Sequence, residues 1–316
     1  MNKNLNTLLT TLYVFVTDHV IPTMPARPRR GRRQLLTDAE LLCLAVAQHL
    51  LHGDASESRW IRYARTHLAG MFPHIPQQSG YNKRIRAAAP LVSHTLSVLA
   101  KDVPTWNDVL RLLDSTPVPC GQSRETVKRS DLAGQAGYGY CASHSRYFWG
   151  FRLYLVATPE GMPVIWGFRL YLVATPEGMP VIWGLANPKI GEREAIATML
   201  DASSDLVADG QVILADKGFA GKQFEAFISG DLKAHLLRPD RKDEKPRFGD
   251  FGGIRQWVES IFDTLKGQLG LERHVARTLE GVMARVACKL LAMAAGIWHN
   301  WKIGAPRKRS LVAYDH

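Results

Sequence analysis

Residues 211–218 read Q-V-I-L-A-D-K-G, and this stretch sets the fold class. Gln211 to Ala215 is a short run rich in Val, Ile and Leu, which reads as a buried strand. It closes on Asp216, with Lys217 and Gly218 behind it. A second such run, Val109-Leu110-Arg111-Leu112-Leu113, closes on Asp114 and is followed by Ser115, Thr116 and Pro117. An acid closing a buried strand stands where a sheet opens to solvent, the usual place for ligands in α/β folds. Turn formation alone would account for either Asp taken singly. The two together, with a third acid on a helix, point to a site.

The third acid lies in residues 255–266, R-Q-W-V-E-S-I-F-D-T-L-K, which place Arg255, Glu259 and Lys266 at R-x3-E-x6-K spacing. On an α-helix at about 100° per residue, offsets of four and seven bring these side chains within roughly 40° of one another. Ile254, Trp257, Val258, Ile261, Leu265 and Leu269 form an adjoining apolar stripe. An Arg–Glu pair at i,i+4 is also an ordinary surface ion pair, so the segment gains meaning only beside the two aspartates. Three carboxylates supply hard oxygen ligands and suit Mg²⁺ or Mn²⁺ rather than zinc. Two such ions about 3.5–4 Å apart can activate an attacking oxygen and stabilise a leaving one in phosphodiester chemistry. Asp114, Asp216 and Glu259 are therefore the candidate catalytic residues and the candidate ligands of two divalent ions.

These residues carry a resemblance. With the R-x3-E-x6-K helix and the Asp216-Lys217-Gly218-Phe219 turn, they resemble the DDE transposases of bacterial insertion sequences, closest to insertion-sequence family 982. Further segments that carry it are 113–118 (L-D-S-T-P-V), 138–140 (Y-G-Y), 148–153 (F-W-G-F-R-L), 213–219 (I-L-A-D-K-G-F) and 255–272. Position 252, where the related signature often begins with Tyr, is Gly. The resemblance implies a ribonuclease-H-like core, with the first Asp on the first strand, the second after the fourth strand and the Glu on a later helix. It also implies cleavage of DNA at the element's ends to leave a 3′-hydroxyl, which then attacks target DNA. Arg255 and Lys266 would position the end DNA through its phosphates, contacts that orient rather than specify.

The order of elements agrees independently with a sheet domain. After the Asp114 strand, Trp149–Thr158 and Met162–Trp166 flank Pro159-Glu160-Gly161, a hairpin signal. Glu192–Leu206 has helical spacing, and Ala234–Leu237 is another short apolar run that stops before Pro239. The predicted fold class is α/β (α+β), a ribonuclease-H-like mixed sheet flanked by helices and preceded by an all-α N-terminal domain. The expected boundaries are 1–104 for the helical DNA-binding region, 105–303 for the catalytic domain and 304–316 for a basic tail.

An exact internal repeat interrupts the catalytic region. Residues 149–165 read WGFRLYLVATPEGMPVI, and residues 166–182 repeat that string without a difference. Structural repeats drift in sequence and need about three copies to stack, so a perfect pair reads as a tandem duplication in the DNA or an assembly error. In an antiparallel meander two copies give three strands, Trp149–Thr158, Met162–Thr175 and Met179–Leu185, and the last is reversed. Either 17 residues loop out or the sheet is rearranged, and identical copies make two registers compete. The expectation is an impaired protein. The alternatives are an inactive transposase remnant that only binds DNA, and a ribonuclease-H-fold nuclease without strand joining.

The net charge of +11 and pI near 9.6 favour a polyanionic partner, namely DNA. The densest basic cluster, Arg27 to Arg33 (R-P-R-R-G-R-R), reads as a flexible arm. Thr37-Asp38-Ala39-Glu40 is a capping box opening a helix through Leu51. A helix over Glu57–His67 aligns Arg59, Arg62 and Arg65, and another from about Gly80 carries Lys83, Arg84 and Arg86. Three helices with two basic faces suggest a helix-turn-helix-like reader, with Arg59, Arg62 and Arg84 contacting the element's terminal inverted repeats. Four cysteines show no C-x-x-C spacing and no H-E-x-x-H occurs, which argues against a zinc site or a disulfide framework. No signal-peptide form and no uninterrupted apolar run of about 18 residues is evident. A cytoplasmic protein acting as a homodimer on DNA, without a membrane, is the expectation.

Overall fold

A computed structural model describes residues 4–25, 34–51, 56–121, 127–141, 145–157, 171–174, 179–245, 247, 252–305, 311 and 314. The arm at 27–33, the tail cluster at 307–309 and most of the second repeat lie outside the described residues. Helices come first: α1 (Leu5–Phe15), α2 (Asp38–Leu51), α3 (Glu57–His67), α4 (Gln78–Ala87) and α5 (Ala89–Asp102). The capping box forms, with the Glu40 N–H donating to Thr37 Oγ1 at 3.1 Å and the Thr37 N–H to Glu40 Oε2 at 2.5 Å. Strands β1 (Leu110–Gly121), β2 (Gly137–Cys141), β3 (Arg146–Ala157), β4 (Tyr171–Ala174) and β5 (Pro180–Ala186) follow. Then come α6 (Glu192–Ala202), β6 (Val212–Ala215), α7 (Lys222–Gly230), β7 (His235–Leu237) and α8 (Gly252–Asp263). A π-helical segment, Thr264–Gln268, extends α8, and α9 (Leu279–Lys302) comes last.

The strands form one mixed sheet. β1 pairs in parallel with β6, and β6 in parallel with β7. On its other side β1 is antiparallel to β3, and β3 is antiparallel to both β5 and β2. Successive residues of the central strands serve opposite faces, as strand geometry requires. Leu112 and Leu214 join a core with α1, α2, α5 and α9. Leu113, Ile213 and Ala215 join a second core with α6 and α7. Burial on both faces explains why these strands read as continuous apolar runs rather than alternating ones. The helical N-terminal third therefore shares its core with the sheet and with α9. That last helix is long and apolar enough to cross a membrane, yet 83% of its most apolar stretch is buried inside the protein.

The duplication produces a different outcome from the expected meander. β4 is a four-residue strand and runs parallel to β3, while β5 pairs directly and antiparallel with β3. The chain thus leaves the sheet in the direction a single copy would give. β1 pairs with the first copy from Asp114↔Leu155 onward, and with the second copy at Leu113↔Val173 and Leu112↔Ala174. Val173 and Ala174 are the duplicates of Val156 and Ala157, 17 positions on. The two copies together keep one continuous register against β1. Pro180 likewise pairs with Ala157 and with its duplicate Ala174. Identical residues satisfy identical pairings, so the second copy enters the place of the first instead of adding a full strand.

Candidate active site

The parallel ladder between β1 and β6 ends at Leu113↔Ala215, so Asp114 and Asp216 are the next residues on adjacent strands. Neighbouring strands lie about 4.8 Å apart, which puts the two aspartates side by side. By the alternation along each strand, Asp114 faces the side of Leu112 and Asp216 the side of Leu214, where α8 and α9 pack. Each carboxylate Oδ1 accepts the N–H of the following residue, Ser115 or Lys217, at 2.7 Å. In Asp216 that bond caps the 3-10 turn Lys217–Phe219. β6 stops at Ala215, so beyond Leu113 β1 has no parallel neighbour and tolerates Pro117 and Pro119, whose missing N–H groups leave no gap in that ladder.

Glu192, in the first turn of α6, lies behind this site. Its Oε1 accepts from Ser115 Oγ at 3.1 Å and from Arg152 Nη1 at 2.6 Å. Its Oε2 lies 3.6 Å from where a Cβ on Gly218 would stand. One carboxylate therefore spans the residue after Asp114 and the turn after Asp216. Ser115 and Arg152 alternate with Asp114 and Leu153, so Glu192 holds the strand end from the face opposite Asp114. The Asp216 turn is also braced by Arg193, whose Nη1 donates to the Ala220 carbonyl at 2.7 Å, and by Arg241, whose Nη2 donates to the same oxygen at 3.2 Å.

Glu259 is exposed on α8, whose Ile261 and Phe262 are buried against the same face of the sheet. Among the described residues, no group of three or more His, Cys, Asp and Glu side chains stands close enough to hold a metal ion. The strand register brings Asp114 and Asp216 side by side, and the helix that carries Glu259 packs against the Asp114 strand. The aspartate pair offers hard oxygen donors that fit a divalent cation such as Mg²⁺. Lys266 lies just past the α-helical part of α8. It sits on the π-helical segment, which closes its hydrogen bonds one residue later than an α-helix and so turns Lys266 away from the angle computed for one continuous helix. Its Nζ lies 4.0 Å from Glu272 Oε1. The Arg255 backbone belongs to α8, and its side chain lies outside the described residues.

Arg59 and Arg62 are exposed on α3. Arg84 is engaged within the fold: it donates to Asp38 Oδ1 at 2.8 Å, to the Leu36 carbonyl at 2.6 Å and to the Thr37 carbonyl at 3.3 Å. It fastens the start of α2, a role its basic helical face did not reveal. The basic loop after β7 is similarly committed. Arg238 is 2% exposed and bonds Glu225 and Glu244, each at 2.7 Å. Glu244 is thereby held down at about 2, by the Arg238 hydrogen bond first and the Arg241 N–H second.

Residues 105–294 match the transposase DDE domain family. The chain belongs to that family. The matched span runs from just before β1 into α9 and contains Asp114, Asp216 and Glu259. Among solved structures the chain is similar to the Drosophila P element transposase strand transfer complex, at 13% identity and a TM-score of 0.30, covering 95% of this chain and 67% of that one. No curated protein matches the chain.

Proposed function

We propose that this member of the DDE transposase family is an insertion-sequence transposase, nearest to family 982. It cleaves DNA at the element's ends and joins the freed 3′-hydroxyl to target DNA. The observation that carries this reading is the placement of Asp114 and Asp216 side by side at the ends of two parallel strands, inside the family-matched span. The strand pairings support a ribonuclease-H-like core: two parallel neighbours on one side of the aspartate strand and two successive antiparallel ones on the other. Asp114 and Asp216 are proposed to hold two Mg²⁺ or Mn²⁺ ions, with exposed Glu259 as the third ligand. Bound there, such ions supply Lewis-acid stabilisation of the attacking and leaving oxygens.

The remaining roles belong to the chain. Arg255 and Lys266 orient the end DNA through phosphate contacts, and Arg59 and Arg62 on α3 hold the terminal repeats. Arg84 is better read as structural. The protein is taken to act as a homodimer on DNA in the cytoplasm. Asp114→Ala and Asp216→Ala should each abolish Mg²⁺-dependent nicking of element-end DNA while leaving gel-shift affinity within about threefold of wild type, phosphate contacts being electrostatic and distant. An Asp114→Ala protein that still nicks would refute the assignment. A second reading, a remnant that binds DNA without cutting it, draws on the duplicated strand.

A further inference from the structure

The Gly137-Tyr138-Gly139-Tyr140 run of β2 alternates the smallest side chain with a large aromatic one. On the glycine face the sheet is closely covered. A Cβ on Gly139 would stand 2.7 Å from both the Phe148 ring and Pro188, and one on Gly137 would collide with Asn187. The tyrosines are thereby turned to the opposite, open face. There Tyr138 pairs across the strands with Trp149 and Tyr140 with Tyr147. Tyr138, Tyr140 and Tyr147 are 54%, 44% and 77% exposed, and the rings of Tyr140 and Tyr147 lie 4.8 Å apart. Large aromatic groups left this open are not contributing to a core.

Beside them is a cleft of about 700 Å³, lined by Tyr138, Tyr147, Trp149, Arg146, Glu272 and Arg273. Its charge is positive on balance. Arg146 is 57% exposed and 3.3 Å from Glu272, which also faces Lys266 at 4.0 Å, while Arg273 is exposed. Tyr147 and Trp149 share the face of β3 that meets Asp114 through Leu155. At about 3.3 Å per residue, the tyrosines stand roughly 26 Å from Asp114 along that strand. The aspartates and the aromatic cleft are thus two ends of one side of the sheet.

We propose that this cleft binds an unpaired stretch of DNA, stacking its bases on Tyr138, Tyr140 and Tyr147 while Arg146, Arg273 and Lys266 meet its phosphates. The combination is the one that single-strand binders use, an aromatic platform beside a basic groove. The inference rests on the transposase reading for its choice of DNA. A strand opened at the element's end, led around the helices that cover Phe151 and Leu153, reaches the tyrosines after several nucleotides.

The test uses the full chain and a short single-stranded oligonucleotide carrying one 2-aminopurine. Stacking quenches that base, so wild-type protein should quench it on binding. Tyr147→Ala and the Tyr138→Ala/Tyr147→Ala pair should abolish the quenching and weaken single-strand affinity at least about fivefold per tyrosine. Tyr147→Phe should retain both. Affinity for blunt duplex should change less than about twofold, and the melting temperature should hold because both side chains are exposed. Unchanged quenching in the alanine variants overturns the inference. So does an equal loss of duplex binding, or a shift from dimer to monomer in light scattering, which would make the face a subunit contact. Absence of nicking by wild-type protein that still shows tyrosine-dependent quenching refutes the transposase reading alone.

Discussion

At Glu192 a single carboxylate ties together two strand ends that are remote in sequence, through Ser115 and Arg152 on one side and the Gly218 turn on the other. Replacing it with Ala leaves a partly buried Arg152 with one hydrogen bond, to the Tyr140 carbonyl at 2.9 Å. A loss of about 1–3 kcal/mol of stability is expected from a broken charge-assisted pair of this kind. Glu192→Gln keeps an acceptor oxygen and should recover most of that loss. If Glu192 positions the aspartates, nicking in the Ala variant should fall further than its melting temperature explains, with kcat affected more than KM. Equal nicking by the Ala variant and wild type would refute a positioning role. The aspartates were legible in sequence because a buried strand announces its end. Glu192 was not, because an acid in the first turn of a helix is favoured by the dipole whatever else it does. Arg84 shows the reverse case, a basic residue with a surface spacing whose partners, 46 to 50 positions away, no local pattern discloses.

At the scale of elements, the duplicated strand gives the sharpest expectation. Because the string is repeated without change, deleting any 17 consecutive residues within 149–182 yields the same chain. In that chain a single copy can make every pairing now divided between the two, Leu155 with Asp114, Val156 with Leu113 and Ala157 with Leu112. The deletion should raise the urea midpoint and increase nicking activity. Unaltered stability and activity would show that the second copy is accommodated at no cost. Strand existence in this region was readable from sequence, but its outcome was not. Local pattern gives three strands, and three form, but the middle one shrinks to Tyr171–Ala174 and runs parallel to β3 because the register against β1 admits only one occupant at a time. The continuous helix expected for Arg255, Glu259 and Lys266 likewise gives way at Thr264, where the ladder widens to a π turn.

Across the whole molecule, a buried polar chain joins the helical third to the sheet. Arg285 of α9 donates to Glu57 of α3 at 2.9 Å and also to the His274 carbonyl. The His274 Nδ1 accepts from the Ala276 N–H, so the proton sits on Nε2, which donates to the Pro119 carbonyl at 2.9 Å. Burial, with Arg285 and Lys289 nearby, pulls His274 down to about 4, against the partial support of the Pro119 bond. The imidazole is therefore neutral in the fold, while the unfolded chain takes up a proton below its ordinary value of 6.5. Its stabilising contribution is complete above pH 6.5, is lost as pH falls toward 4, and changes no further below that. The loss amounts to on the order of 3 kcal/mol at most. Urea midpoints for wild type and His274→Asn should converge between those two pH values. Parallel curves would show that this histidine does not set the acid limb.

By itself the sequence determined the α/β class, the two aspartate-tipped strands and the family they resemble, because each depends on patterns within a few consecutive residues. Strand period, burial and turn chemistry are local, and local physics is written in order along the chain. The tertiary structure alone decided that Glu192 braces the strand ends on the face opposite Asp114, that Arg84 serves the fold and that the duplicate shares a single register with the first copy. Each of those outcomes is a competition among distant groups for the same space or the same hydrogen bond, which only the packed chain resolves.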